Sequence, residues 1–286
     1  MRILVTGATG QVGRWVVAAL DERGAEVRQA VTPRPGRTLT ADQAPFDFHD
    51  AATWPGAVQS CKAVFLLRPP AIAQVKETLN AFVDRARTEG AQHVVFLSVA
   101  GAASNPLVPH HAVEQHLRRS QTGTFTLLRP GFFAQNLETA YLEDLREDDR
   151  LYVPAGRGRV AFVDLRDVGE VAAQALLDPN RHQGQAYTLT GPARFRFAEA
   201  ATLLSEALGR RIDYQPASVI GYMAHLRRRG LPLPQVLVQT VLHLGLRFGQ
   251  AATVDPTLGR LLGRRPRDLA DYIRDHAASL AQRPAE

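Results

Sequence analysis

Short apolar runs alternate with segments of helical periodicity through the first half of the chain. The runs that predict strands are Arg2–Val5, Glu26–Val31, Ala63–Leu67, His93–Leu97 and Thr124–Leu128. Between the third and fourth of these, residues 74–89 repeat apolar side chains every three or four positions, as an amphipathic helix does. Apolar strands separated by helices indicate a parallel sheet that is buried on both faces. We therefore expect an α/β fold with a doubly wound parallel sheet.

The pattern becomes less regular after residue 130. Further helices are predicted from about Arg166 to Leu177 and at Glu199–Leu208, Val219–Arg229, Gln235–Arg247 and Leu269–Leu280. We expect residues 1–130 to form a dinucleotide-binding Rossmann core, with a contribution from about 155–190. Residues 131–286 would then form a smaller, mainly helical lobe on the substrate side, which does not fold independently.

The turn between the first strand and the first helix carries three glycines, each separated by two residues. It consists of Thr6, Gly7, Ala8, Thr9, Gly10, Gln11, Val12 and Gly13. Gly7 can adopt dihedrals that other residues avoid, Gly10 lacks a Cβ that would hold a pyrophosphate away, and Gly13 allows close packing of helix on strand. The helix start offers backbone N–H groups to phosphates. The turn predicts a dinucleotide site, and the alternative is an ordinary tight βα turn.

The end of the second strand bears on which dinucleotide is bound. Sites that prefer NAD usually place a carboxylate there to hold the ribose hydroxyls, but residues 31–37 contain none. We expect Thr32 and Arg34 to contact the cofactor, and Arg34 or Arg37 could meet a 2′-phosphate. NADP is thus the expected cofactor, with NAD possible, unless these arginines are solvated loop residues. Asp47 and Phe48 would border the adenine.

Charge and cysteine content exclude several other classes of protein. The 286 residues carry a formal charge of +6, but the basic residues are spread along the chain, which does not favour nucleic-acid binding. The lone Cys61 excludes an internal disulfide and fits a reducing compartment. The scattered histidines show no metal-binding spacing. No apolar leader or membrane-spanning run is present, so we expect a cytoplasmic protein that does not bind membranes.

Several motifs, in this order, resemble those of one family. They are Thr6–Gly13, Leu66–Pro70, Val95–Ser98, Leu128–Leu137, Leu189–Pro192, Leu208–Arg210 and Asp271–His276. Together they resemble the NmrA-like atypical short-chain dehydrogenases/reductases, which are similar to bacterial NAD(P)H quinone and azo reductases. The resemblance covers nearly the whole chain.

The resemblance also implies a set of ligand-binding residues. Those that would flank the nicotinamide half of the cofactor are Leu67, Arg68, Pro69, Pro130, Gly131 and Phe132, with Ser98 at the carboxyl edge of the sheet. Phe133 and Asn136 would contact the substrate. Each has a plain alternative: Arg68 could be a surface arginine, and the two phenylalanines could be core aromatics.

The chain departs from typical short-chain reductases at the proton donor. Those enzymes use a Tyr-x-x-x-Lys pair on one helix, whereas both lysines here, Lys62 and Lys76, precede the first tyrosine. The corresponding segment places His110 and Glu114 four residues apart on one helix face. Either His110 or His111 could donate a proton, with Glu114 raising the histidine pKa. A position at the surface or at a pocket rim is the favoured alternative for these residues.

Two functions follow from an intact cofactor turn without that pair. The first is an NAD(P)H-dependent reductase of a small electrophile such as a quinone, azo or iminium compound, whose reduction needs little acid assistance. The second is a non-catalytic NAD(P)-binding redox sensor that acts on a protein partner. We favour the reductase.

Overall fold

Thirteen strands are found in the part of the chain that the computed structural model describes, which is residues 1–33, 36 and 38–282. They are β1 (Arg2–Val5), β2 (Glu26–Val31), β3 (Gln43–Pro45), β4 (Cys61–Leu67), β5 (His93–Leu97), β6 (Thr124–Pro130), β7 (Phe132–Phe133), β8 (Arg150–Val153), β9 (Arg159–Val160), β10 (Phe162–Val163), β11 (Ala186–Leu189), β12 (Phe195–Arg196) and β13 (Asp213–Pro216).

The helices lie between these strands and after them. They are α1 (Gly13–Asp21), α2 (Trp54–Val58), α3 (Ala81–Thr88), α4 (Pro109–Arg119), α5 (Leu142–Glu147), α6 (Leu165–Leu177), α7 (Pro179–His182), α8 (Phe197–Leu208), α9 (Val219–Arg228), α10 (Leu233–Arg247), α11 (Thr257–Leu262), α12 (Leu269–Asp275) and α13 (Ala277–Ala281). Short 3-10 turns cover Ala51–Thr53 and Ala134–Glu138, and a π-helical turn at Lys76–Asn80 leads into α3.

The main sheet is parallel throughout and has the strand order β11-β6-β5-β4-β1-β2-β3. The direction of winding reverses between β1 and β4, and ligands of such sheets bind at the carboxyl ends of the strands flanking this point. The predicted doubly wound α/β fold is confirmed. The sequence did not predict β3 and β11, which are edge strands of three and four residues.

The chain divides into two compact units, and the sheet lies in the first. This unit consists of Met1–Pro130, Leu165–Leu189 and Arg260–Leu262. On one side of its sheet, Phe46, Phe48 and Phe82 pack edge to face, with ring centroids 4.8 to 5.6 Å apart. Helix α6 packs against α1 at Gly169, where an added Cβ would lie 2.7 Å from the backbone of Trp15. This close approach holds the returning segment in the first unit.

The second unit consists of Gly131–Asp164, Thr190–Gly259 and the chain from Gly263. Its helices surround a core that includes the fully buried rings of Tyr141, Phe162, Phe197 and Tyr272. Three strand pairs accompany them: β7 with β10, β9 with β12, and β8 with β13. These strands were not predicted as pairs, because they are only two to four residues long. The predicted helix Leu269–Leu280 is interrupted at His276, between α12 and α13.

Over the described residues, no helix is both long enough and apolar enough to cross a membrane.

Candidate active site

The turn between β1 and α1 has the geometry of an anion-binding βα turn. Gly7 has a φ of +65°, in the left-handed region, which confirms its expected role. The tip, residues 9–11, is exposed, whereas Ala8 and Val12 are buried. No side chain caps α1, and the backbone N–H groups of Gln11 and Val12 have no hydrogen-bond partner among the described residues. These N–H groups at a helix start suit a phosphate.

Gly13 is required for a reason other than the one we expected. An added Cβ would lie 2.1 Å from the carbonyl oxygen of Gly7 and 2.8 Å from the Cα of Ala8. The close contact is therefore with the turn itself rather than with the strand, and glycine allows the turn to fold against the start of α1. Gly10 is less constrained, since its added Cβ would lie 3.2 Å from the same Gly7 oxygen.

The Thr6 hydroxyl joins β1 to the end of β4. It donates to the carbonyl oxygen of Phe65 at 3.0 Å and accepts from the N–H of Leu67 at 2.9 Å. Because this buried hydroxyl already has both partners, Thr6 positions the turn instead of offering its hydroxyl to a ligand. The Leu67 side chain in turn lies against Gly7, with Cδ2 3.1 Å from the position of an added Cβ.

The residues expected at the adenosine half of a cofactor are placed as follows. Thr32 follows β2 and is exposed. Arg34 lies outside the described residues, as does Arg37, so their contact with a 2′-phosphate stays a prediction. Asp47 is half-buried, and its carboxylate accepts a backbone N–H two residues on at 2.8 Å. The ring of Phe48 is part of the aromatic core, so only its backbone is available to border an adenine.

His110 and Glu114 of α4 are buried, so a surface position is wrong for these two residues, whereas a position at a pocket rim stays a prediction. His110 is 8% exposed and Glu114 only 1%. Side chains at the ends of neighbouring strands form hydrogen bonds with both residues, and these bonds offset the free-energy cost of burying polar groups. His111 is half-buried, and its Nδ1 lies 2.8 Å from the carbonyl oxygen of Ala102.

A hydrogen bond from Arg68 fixes the tautomer of His110. The Arg68 Nε–H donates to His110 Nε2 at 3.3 Å, while Arg68 Nη1 donates to the carbonyl oxygens of Pro69 at 3.0 Å and Ile72 at 2.5 Å. Because Nε2 accepts, the neutral ring carries its proton on Nδ1. That Nδ1 is buried and has no hydrogen-bond partner among the described residues. His110 therefore offers an N–H donor that the protein itself leaves unpaired.

The same surroundings keep His110 uncharged at neutral pH. Burial, and then the positive charge of Arg68, lower its pKa from the ordinary 6.5 to about 4, against a weaker opposite effect of Glu114. Glu114 does raise the histidine pKa, as expected, but burial and Arg68 outweigh this effect, so the net pKa of His110 is lowered. Since the folded pKa lies below the unfolded one, the neutral ring stabilises the fold fully above pH 6.5 and this contribution is lost as the pH falls through about 4.

Glu114 is a buried carboxylate with fixed partners. Its Oε1 accepts from Ser98 Oγ at 2.5 Å and from Arg129 Nε at 2.9 Å, and a second Arg129 nitrogen bonds to Oε2. Burial raises the pKa of Glu114, but these hydrogen bonds outweigh it and leave the pKa below its ordinary value. We did not predict Arg129 as the partner. The sequence does contain a signal for this contact, because Ser98 follows β5, Arg129 lies near the end of β6, and these two strands are neighbours in the sheet.

The end of β6 marks the boundary between the two compact units. Pro130 belongs to the first unit, and its carbonyl oxygen accepts from a backbone N–H at 3.1 Å. Gly131, Phe132, Phe133 and Asn136 belong to the second unit. The half-buried Phe132 ring packs edge to face on another phenylalanine with centroids 5.6 Å apart, as an aromatic of that unit's core would. Contact of these residues with a ligand stays a prediction.

No group of three or more His, Cys, Asp or Glu side chains within the described part of the chain could hold a metal ion. The only cysteine, Cys61, is buried, and burial raises its pKa to about 11. The thiol is therefore protonated at neutral pH and unsuited to nucleophilic chemistry.

Known proteins share this fold over their whole length. The chain is 33% identical over 286 residues to an NAD(P)H azoreductase of Xenophilus azovorans, covering 97% of this chain and 98% of the relative. The NADPH complex of an Escherichia coli quinone oxidoreductase superposes with a TM-score of 0.83 at 24% identity, covering 98% and 100% of the two chains. The NADP complex of NmrA, a negative transcriptional regulator, gives 0.74 at 17% identity, covering 97% and 95%.

The strand order and the glycine turn define a doubly wound Rossmann fold. The NmrA-like family matches residues 1–273, and the chain belongs to that family. The predicted resemblance is thus confirmed. The solved structures named above were determined with NADPH or NADP bound, the dinucleotides that the sequence favours.

Substituting Gly13→Ala tests the geometry of the turn. Its Cβ would meet the Gly7 carbonyl, so the turn must open, and we expect the Kd for NADPH to rise about tenfold or more. Gly56→Ala is the matched control, because Gly56 is also helical and has no atom within 4 Å of an added Cβ. Fluorescence titration with NADPH measures both. An equal Kd for the two variants would contradict this description of the turn.

Nuclear magnetic resonance tests the state of His110. In protein labelled with ¹⁵N-histidine, we expect one ring, assigned by its loss in His110→Gln, to remain neutral and protonated on Nδ1 from pH 8 to about 5. The reason is burial beside Arg68. A midpoint near 6.5, or an Nε2–H ring, would refute the assignment.

Proposed function

We propose that the protein is an NADPH-dependent reductase of a small organic electrophile of the quinone, azo or iminium class. The observation that carries the proposal is the combination of a glycine turn suited to phosphates with a buried, neutral His110 where a tyrosine acid would stand. The azoreductase and quinone oxidoreductase relatives support the same class of acceptor.

The described turn fits the phosphates of a dinucleotide. Its tip is exposed, its N–H groups at Gln11 and Val12 are unpaired among the described residues, and Gly10 presents no side chain to an approaching anion. The absence of a carboxylate from residues 31–37 supports NADPH over NADH. When bound, the cofactor would supply a hydride to the acceptor.

The protein contributes a hydrogen bond rather than a proton. With a pKa of about 4, His110 holds no acidic proton at neutral pH, but its Nδ1–H remains a donor. A fixed, buried donor stabilises negative charge that develops on an acceptor atom. We assign His110 this role. We assign no proton transfer to His111, whose Nδ1 is already bonded to Ala102.

Glu114 does not take the place of the missing lysine. Arg129 compensates its charge and Ser98 donates a hydrogen bond to it, so we assign Glu114 the role of holding these strand ends together and not that of a general base. Without an acid, hydride transfer to a simple ketone would leave the product as an alkoxide anion that no group protonates. Acceptors that delocalise the added negative charge, or that begin with a positive charge, do not form such a localised anion.

A panel of acceptors tests the proposal. NADPH oxidation is measured with menadione, methyl red and, as the matched acceptor that needs an acid, acetophenone. We expect kcat for the quinone or the azo dye to exceed that for the ketone by about 100-fold or more. Binding of NADPH without turnover of any acceptor would favour the redox-sensor alternative. Failure to bind NADPH or NADH would contradict both functions.

The same assay on His110→Phe tests the donor. We expect kcat to fall about 100-fold with an unchanged Kd for NADPH, because only the acceptor loses a hydrogen bond. The control is His116→Phe, on the same helix, where the histidine instead meets Asp84 at 2.8 Å. Equal activity of the two variants would show that His110 does not take part in the reaction.

A further inference from the structure

A cavity of about 820 Å³ lies wholly within the second unit. It is bordered by the residues after β8 and β13, the starts of α8 and α9, and the end of α10. The charged side chains that line it are Arg157, Arg196 and Arg247, and no acidic residue lines it. All three arginines are exposed, so they are accessible to a ligand from solvent.

None of the three guanidinium groups has a carboxylate within 4 Å among the described residues. Glu199 lies nearby in sequence, but it accepts the backbone N–H of Arg196 at 2.8 Å and pairs with Arg159 at 3.5 Å. Most other arginines of this unit do pair, including Arg150, Arg210 and Arg229. The cavity thus concentrates positive charge that the protein leaves uncompensated.

The backbone holds Arg247 at this cavity. Gly156 has a φ of +54°, and an added Cβ there would lie 3.3 Å from Arg247 Cγ and 3.4 Å from Nε. Glycine at this position therefore lets the arginine side chain lie directly across the turn. Tyr214, on the cavity wall, donates its hydroxyl to the carbonyl oxygen of Val153 at 3.3 Å. Burial raises the pKa of Tyr214 to about 12, so it adds no negative charge to the cavity wall at neutral pH.

We infer that this cavity binds a small molecule that carries two or more phosphate or carboxylate groups. Guanidinium groups bind both kinds of oxyanion through paired, charge-assisted hydrogen bonds, and three of them lining one cavity favour a multiply charged ligand over a single ion. The cavity has room for an organic molecule rather than for one phosphate.

The cavity is lined by residues of the second unit only. The glycine turn belongs to the first unit, and neither Phe133 nor Asn136 lines the cavity. The inference does not depend on the reductase activity. It assigns the second unit a binding function of its own.

Isothermal titration calorimetry on the full-length protein tests the site. The protein is first saturated with NADPH, so that the glycine turn is blocked, and is then titrated with pyrophosphate and, separately, with citrate at low salt. We expect one saturable site per chain for at least one of the two anions. The arm that binds more tightly identifies phosphate or carboxylate as the preferred group. No saturable binding of either anion would overturn the inference.

Two matched double variants locate the site. Arg157→Gln/Arg247→Gln removes two cavity charges, and Arg119→Gln/Arg228→Gln removes two exposed arginines that do not line the cavity and have no carboxylate partner among the described residues. We expect the first pair to weaken anion binding about tenfold or more and the second less than twofold. Equal weakening by both pairs would mean general attraction to a basic protein and would refute the site. Unchanged NADPH affinity checks that each variant is folded.

Discussion

The contact between Gly13 and the backbone of Gly7 is the constraint on which the proposed active site depends. It folds the turn onto the start of α1, where the backbone N–H groups of Gln11 and Val12 have no hydrogen-bond partner among the described residues. Gly7 packs against Leu67, and the next residue, Arg68, bonds to His110. One series of contacts in the first unit therefore runs from the proposed phosphate-binding turn to the proposed hydrogen-bond donor. A backbone shift at the turn would be transmitted along it, because packed interiors transmit strain.

Burial decides the chemistry at the start of α4. The pair of His110 and Glu114 has the spacing of an acid and its partner, yet the two side chains do not act on each other in that way. Arg129 and Ser98 stabilise the charged form of Glu114, and Arg68 together with burial stabilises the neutral form of His110. A site with a charged Glu114 and a neutral His110 can stabilise charge that develops on a substrate, but it has no acidic proton to donate near pH 7.

The sequence was sufficient to predict those elements that are determined by residues close together in the chain. The strands before the turn and along the sheet were predicted from apolar runs, and Gly7 from its place between a strand and a helix. The environment of His110 was missed because it depends on Arg68 and Arg129, which are 42 and 15 residues from His110 and Glu114. The residue pattern within α4 cannot predict partners that come from other elements. The strand pairs of the second unit were missed because two to four residues carry too little pattern.

The isotope dependence of a single turnover tests the central claim, that reduction proceeds without proton transfer from the protein. NADPH deuterated at C4 and ordinary NADPH are each mixed with enzyme and menadione in H₂O and in D₂O at pH 7. The account predicts slower reduction with the deuterated cofactor and the same rate in the two solvents. A rate that falls in D₂O in the wild-type protein, but is the same in H₂O and D₂O in His110→Phe, would show that His110 transfers a proton and would contradict it.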